Sequence, residues 1–67
     1  MSEYLPHQQR VVDENADLCT KIEALNSFIN TSPVFSALSK TEKNRLTDQI
    51  AFMRAYARIL LDRIDNF

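Results

Sequence analysis

The sequence predicts an all-α fold: a two-helix antiparallel hairpin with a short helical turn in its connection, packing as a homo-oligomeric helical bundle. Three observations predict it. Leu46, Ile50, Met53, Ala57, Leu60, Ile64 and Phe67 recur at steps of four and three, the seam of a long amphipathic helix with a packing partner. Glycine is absent from all 67 residues, which removes phosphate-cradling loops and tight β-hairpin turns and suits helices joined by short connections. The chain is 45% hydrophobic yet has a single cysteine and a single histidine, so neither a disulfide nor a zinc site can staple it. Helix packing and self-association are left to stabilise so small a chain.

One domain spans 1–67. Residues 1–6 read as a short arm, with Pro6 at or just before a helix start. From about residue 7 to 30 the pattern is helical: Val11, Leu18, Ile22, Leu25 and Ile29 form one stripe, in which the rhythm places Asn15 between Val11 and Leu18. Val12, Ala16 and Cys19, joined near the end by Phe28, form a neighbouring stripe of mostly small residues. Asn30-Thr31-Ser32-Pro33 breaks the helix, and Ser32 caps a short turn over about 33–38 with Pro33 in its first position. Phe35 and Leu38 face one way, over the end of the hairpin. Ser39-Lys40-Thr41-Glu42 matches a capping box, in which the Ser39 hydroxyl and the Glu42 carboxylate each satisfy a backbone donor. The second helix runs over about 40–66, roughly 40 Å at 1.5 Å per residue.

This second helix is apolar on more than one side. Phe52, Tyr56 and Ile59 repeat the four-and-three rhythm beside the main seam, and Leu61 lies on a further edge. A single partner helix covers a stripe of about 100°. A second interface is therefore expected, formed by Phe52, Tyr56, Ile59 and Arg63 between copies of the chain.

The net charge is -1, unevenly spread. Residues 1–30 carry Arg10 and Lys21 against five carboxylates, whereas residues 40–67 carry six cations against four. Opposite signs favour pairing between the halves. The basic excess is too small for a DNA-binding protein, and no helix-turn-helix pair is evident. No apolar run approaches the twenty residues needed to span a membrane. The lone cysteine and the lack of a secretory signal point to a reducing, cytoplasmic setting.

Arg54 and Arg58 stand one turn apart with Tyr56 between them. Repeated around an oligomer, they could line a site for an anionic ligand, since guanidinium forks match phosphates and tyrosine stacks on bases. The plainer reading pairs them with acidic residues of helix one such as Asp13, Glu14 or Asp17. Asn15 either fixes helix register from a core position or is solvated where the helix has not reached its partner. Pro6-His7-Gln8-Gln9-Arg10 is either a polar recognition tip or an exposed first turn. Cys19 reads as a small core residue, since only Lys21 is near enough in sequence to stabilise a thiolate. No nucleophile–base constellation is present, so catalysis and cofactors are not expected.

Tyr4…Gln8-Gln9-Arg10-Val11-Val12-Asp13-Glu14, Leu18…Ile22…Leu25…Phe28-Ile29 and Gln49…Met53…Tyr56…Ile59-Leu60…Arg63-Ile64…Phe67 together resemble a family of short phage proteins related to a crAss-like phage product. The resemblance covers almost the whole chain and implies a phage or prophage accessory protein. At the level of fold alone, the hairpin is similar to the small helical anti-CBASS proteins of phages, oligomers that sequester cyclic nucleotide immune signals. The phage resemblance, the extra apolar face and the Arg54, Tyr56 and Arg58 group together lead to the expectation of a counter-defence homo-oligomer that binds a cyclic or other signalling nucleotide between protomers, in the host cytosol. The fold-level similarity itself assigns no site residue. The competing expectation is an inhibitor or adaptor that lays a helix face on a host or phage protein.

Overall fold

Pro6 opens the first helix because its missing N–H falls where helices leave donors unpaired and its fixed φ already suits the turn. In the computed structural model, which describes residues 3–67, this helix is α1 (Pro6–Thr31), followed by α2 (Pro33–Ala37) and α3 (Lys40–Asp65). Of the expected arm, residues 1–2 lie outside the described residues. Just before α1 the Leu5 N–H donates to Gln8 Oε1 at 2.9 Å, the half of a capping box that a glutamine at the third helical position can supply.

Ser32 separates α1 from α2 and serves both. Its N–H donates to the Phe28 carbonyl at 3.1 Å, closing α1, while its hydroxyl accepts from the Val34 N–H at 3.1 Å, opening α2 with Pro33 at the first position. At α3 the Ser39 hydroxyl accepts from the Glu42 N–H at 3.1 Å. The expected reciprocal contact from Glu42 is replaced: its carboxylate lies 3.6 Å from Arg45 Nη1, one turn along the helix. Half of the predicted capping box therefore forms, the half supplied by the Ser39 hydroxyl.

α1 and α3 lie antiparallel. Tyr4 and Phe67 meet edge-to-face at one end, with ring centroids 5.9 Å apart, and Arg54 reaches Asn26 towards the other. Beneath the connection Phe28 and Phe35 meet edge-to-face at 6.0 Å, and Lys43 Nζ stands 5.9 Å from the Phe35 centroid. This aromatic and cation–π group ties α2 to both long helices. Its presence accounts for Phe35 and Leu38 being half-buried although α2 has only five residues.

The core is a single row between the long helices: Val11 and Leu18 from α1 against Ala57 and Leu60 from α3, with Ile50 of α3 buried apart from that cluster. Ile22, Met53 and Ile64 pack around it. Among the described residues Leu60 is the only large side chain fully out of water, at 0% exposure, because its seam position points straight at α1. Leu25 and Ile29, expected at the centre of the packing, are only half-buried, and Val11 takes a larger share. Cys19, expected in the core, is half-buried on the edge of α1, with Sγ 4.0 Å from Asn15 Oδ1. Asn15 is thus half-buried and has a partner within its own helix, where the i,i+4 spacing brings the two side chains together.

Leu60→Ala should lower the unfolding free energy by about 2–5 kcal/mol, since a wholly buried leucine loses both transfer energy and its neighbours' contacts. Urea denaturation followed by circular dichroism measures this. A loss below about 0.5 kcal/mol, the range of an ordinary surface substitution, would mean that the seam does not hold the helices together.

Candidate functional site

Helical geometry decides which of the candidate residues can act together. At 3.6 residues per turn, side chains four apart share a face, whereas side chains two apart point to nearly opposite sides. Arg54 and Arg58 accordingly share one flank of α3, and Tyr56 belongs to the other.

The contacts bear out this division. Arg54 Nη2 donates to Asn26 Oδ1 at 3.0 Å, and the same oxygen accepts from Asn30 Nδ2 at 3.1 Å. Both long helices are exposed there, and Asn26 is neutral, so the contact orients the guanidinium without neutralising it. Arg58 is exposed one turn further on, with no ion pair among the described residues. The expected pairing of these arginines with Asp13, Glu14 or Asp17 does not form. Those carboxylates lie along the opposite flank of α1.

On that opposite flank, Tyr56 from α3 closes an open groove of about 420 Å³ whose other lining residues, Arg10, Asp13, Glu14, Asp17, Leu18 and Lys21, come from α1. The two cations and three carboxylates are spaced along one side of α1, with Leu18 as the apolar floor and the Tyr56 ring as the wall. An aromatic face with donors and acceptors around it suits a ligand carrying a ring and hydroxyl groups. The excess of carboxylates makes the groove a poor seat for a polyphosphate on its own. The pattern was hidden in sequence because Arg10, Glu14, Asp17 and Lys21 look like an ordinary charged helix surface. The signal that could have found them is their position beside Leu18, at the edge of the stripe rather than opposite it.

The second apolar stripe lies in the open. Phe52 is 76% exposed, Ile59 56% and Tyr56 43%, and Arg63 continues the same outward face towards the end of α3. Leu61 is exposed on a separate edge. The structure therefore places Phe52, Tyr56, Ile59 and Arg63 together, but sets Tyr56 apart from Arg54 and Arg58 within one chain. Among the described residues no group of three histidine, cysteine or acidic side chains is arranged to hold a metal, and no helix is long and apolar enough to cross a membrane.

Residues 5–66 match the family model described as Sequestin. The chain is also 36% identical over 63 residues to the uncharacterised 7.5 kDa protein encoded in the denB-rIIB intergenic region of Enterobacteria phage T4, a match covering 94% of this chain and 97% of that protein. No solved structure matches. The short phage protein family implied by the resemblance is thereby shown, while the connection to a crAss-like phage product has no counterpart in these matches.

Because Arg54 is exposed and its hydrogen bond goes to a neutral amide, Arg54→Ala should change the unfolding free energy by no more than about 0.5 kcal/mol, as surface substitutions usually do. Chemical denaturation of the variant checks this. A loss above about 1.5 kcal/mol would assign Arg54 to holding α1 against α3.

Proposed function

The chain belongs to the Sequestin family, and from that membership we propose that it acts by binding without catalysis, as a counter-defence protein that sequesters a signalling nucleotide in pockets between protomers. The family name itself supports sequestration by a small phage protein. The observation that carries the nucleotide reading is the pair of exposed, charge-uncompensated guanidiniums, Arg54 and Arg58, on the helix that also exposes Tyr56. An arginine left without a carboxylate keeps its full donor fork for a phosphate, and the pair supplies two. Tyr56 offers a ring face for a base, and Asp13 and Asp17 beside it can accept from ribose hydroxyls.

A single chain cannot close these groups around one small ligand, since the arginines and the tyrosine lie on different flanks of α3. The proposed pocket therefore takes its arginines from one protomer and its tyrosine from another. Sequestration needs nothing further: a ligand held tightly at a stoichiometric site is removed from its receptor in the host cytosol, with no bond made or broken.

Calorimetric titration with a panel of cyclic and ADP-ribose-type nucleotides tests this. Arg58→Ala should weaken binding by about tenfold to a hundredfold, the value of one charge-assisted contact of roughly 1.5–3 kcal/mol, with helicity unchanged. Lys40→Ala is the control. Lys43 is unsuitable, because it stands over Phe35. Equal effects from both substitutions would mean diffuse electrostatics with no site, and no measurable affinity for any nucleotide in the panel would overturn the nucleotide reading. The exposed Phe52 and Ile59 support a second reading, an inhibitor or adaptor that lays this helix face on a host protein. That reading predicts capture of a protein, with no small molecule, from infected cells.

A further inference from the structure

A slab 46 × 19 × 13 Å is two helices wide and one helix thick, so α3 has α1 on one side and water on the other. The exposed surface of the chain is 5170 Å². A compact monomer of this mass exposes about 4,400 Å². The excess, about 800 Å², equals what each partner buries in a standard protein–protein interface. What covers the face is indicated by the order of residues along it. Asp48, Phe52, Tyr56, Ile59 and Arg63 are exposed, with the half-buried Ala55 among them, and they are arranged symmetrically about a point midway between residues 55 and 56. Phe52 and Ile59 lie equally far to either side, about 5 Å along the axis, and Asp48 and Arg63 about 11 Å.

We infer that a second copy of this chain docks here, α3 against α3, antiparallel about a two-fold axis between Ala55 and Tyr56. That alignment sets Phe52 on Ile59 of the second copy and Asp48 opposite Arg63 of the second copy. The symmetry repeats both contacts, so two ion pairs bracket one apolar centre. Neither Asp48 nor Arg63 has an ion pair within the chain among the described residues, so both are available. Ala55 sits at the axis, and its small side chain admits close approach of the two helices. A parallel pairing would instead place Asp48 on Asp48 and Arg63 on Arg63, two like-charge contacts that select against it. The face is thus self-complementary in shape and sign, as an isologous interface requires.

This inference goes beyond the nucleotide reading and stands without it, so its test contains no nucleotide. Sedimentation of the full chain from 1 to 100 μM should give a dimer. Asp48→Arg and Arg63→Asp should each weaken dimerisation on the order of tenfold, because two-fold symmetry makes each substitution act twice. The double variant restores opposite charges and should return to within about threefold of the wild type. Circular dichroism verifies that every variant is folded. In a Cys19→Ser background, oxidation should cross-link Ala55→Cys between copies and leave Ala51→Cys largely monomeric, since residue 51 stands a turn or more from the axis. A wild-type monomer at 100 μM would overturn the inference and leave the face to a host protein. A dimer in which the double variant is as weak as its parents, or in which position 51 cross-links better than 55, would overturn the alignment.

Discussion

Everything in this chain depends on one seam. Leu60 and Ala57 of α3 close against Val11 and Leu18 of α1, and among the described residues no second layer of helices shares the burden. A core one row deep stabilises a fold only as far as that row is continuous, and here it is lengthened at both ends by aromatic contacts. Tyr4 against Phe67, both partly in water, and Phe28 against Phe35 extend the apolar contact towards the two ends of the hairpin. The two serines matter for the same reason. Ser32 and Ser39 fix where α1 stops and α3 starts, and thereby the register in which the seam residues meet.

The same thinness links fold to function. A two-helix layer leaves two flanking grooves and one outer face on each long helix, and the chain has filled these with different chemistry: guanidiniums on one flank of α3, a tyrosine and carboxylates on the other, and bare aromatic and aliphatic side chains between them. None of these surfaces is enclosed within one chain. Association is what would turn exposed groups into a pocket, so the proposed sequestration and the exposed face of α3 are two consequences of one economy of size.

How far the sequence discloses all this depends on how local the cause is. The seam of α3 and the serine caps are set by spacing and by residues within one turn, and they could be read directly. The second stripe was legible for the same reason: Phe52, Tyr56 and Ile59 obey the helical period, and its exposure follows from there being only one neighbour. What the sequence did not disclose depends on which flank of α3 turns towards which flank of α1. Arg54, Tyr56 and Arg58 stand close in the chain, yet the helical period already sets Tyr56 on the flank opposite the two arginines, and only the docking of α1 shows which groove each flank lines. Asp13, Glu14 and Asp17 looked like partners for those arginines by charge alone, but the rotation of α1 carries them to the groove beside Tyr56. Glu42 likewise had two partners within reach, and the structure sets its carboxylate beside Arg45.

This hairpin leaves a face of α3 in water, and the proposed association would cover it. The most direct measurement is the melting temperature of the wild-type chain, followed by circular dichroism from about 1 to 200 μM. If folding and association are linked, mass action raises the melting temperature steadily with concentration, by several degrees over that range. A melting temperature independent of concentration would contradict the account, because the chain would then be folding as a monomer with Phe52 and Ile59 in water.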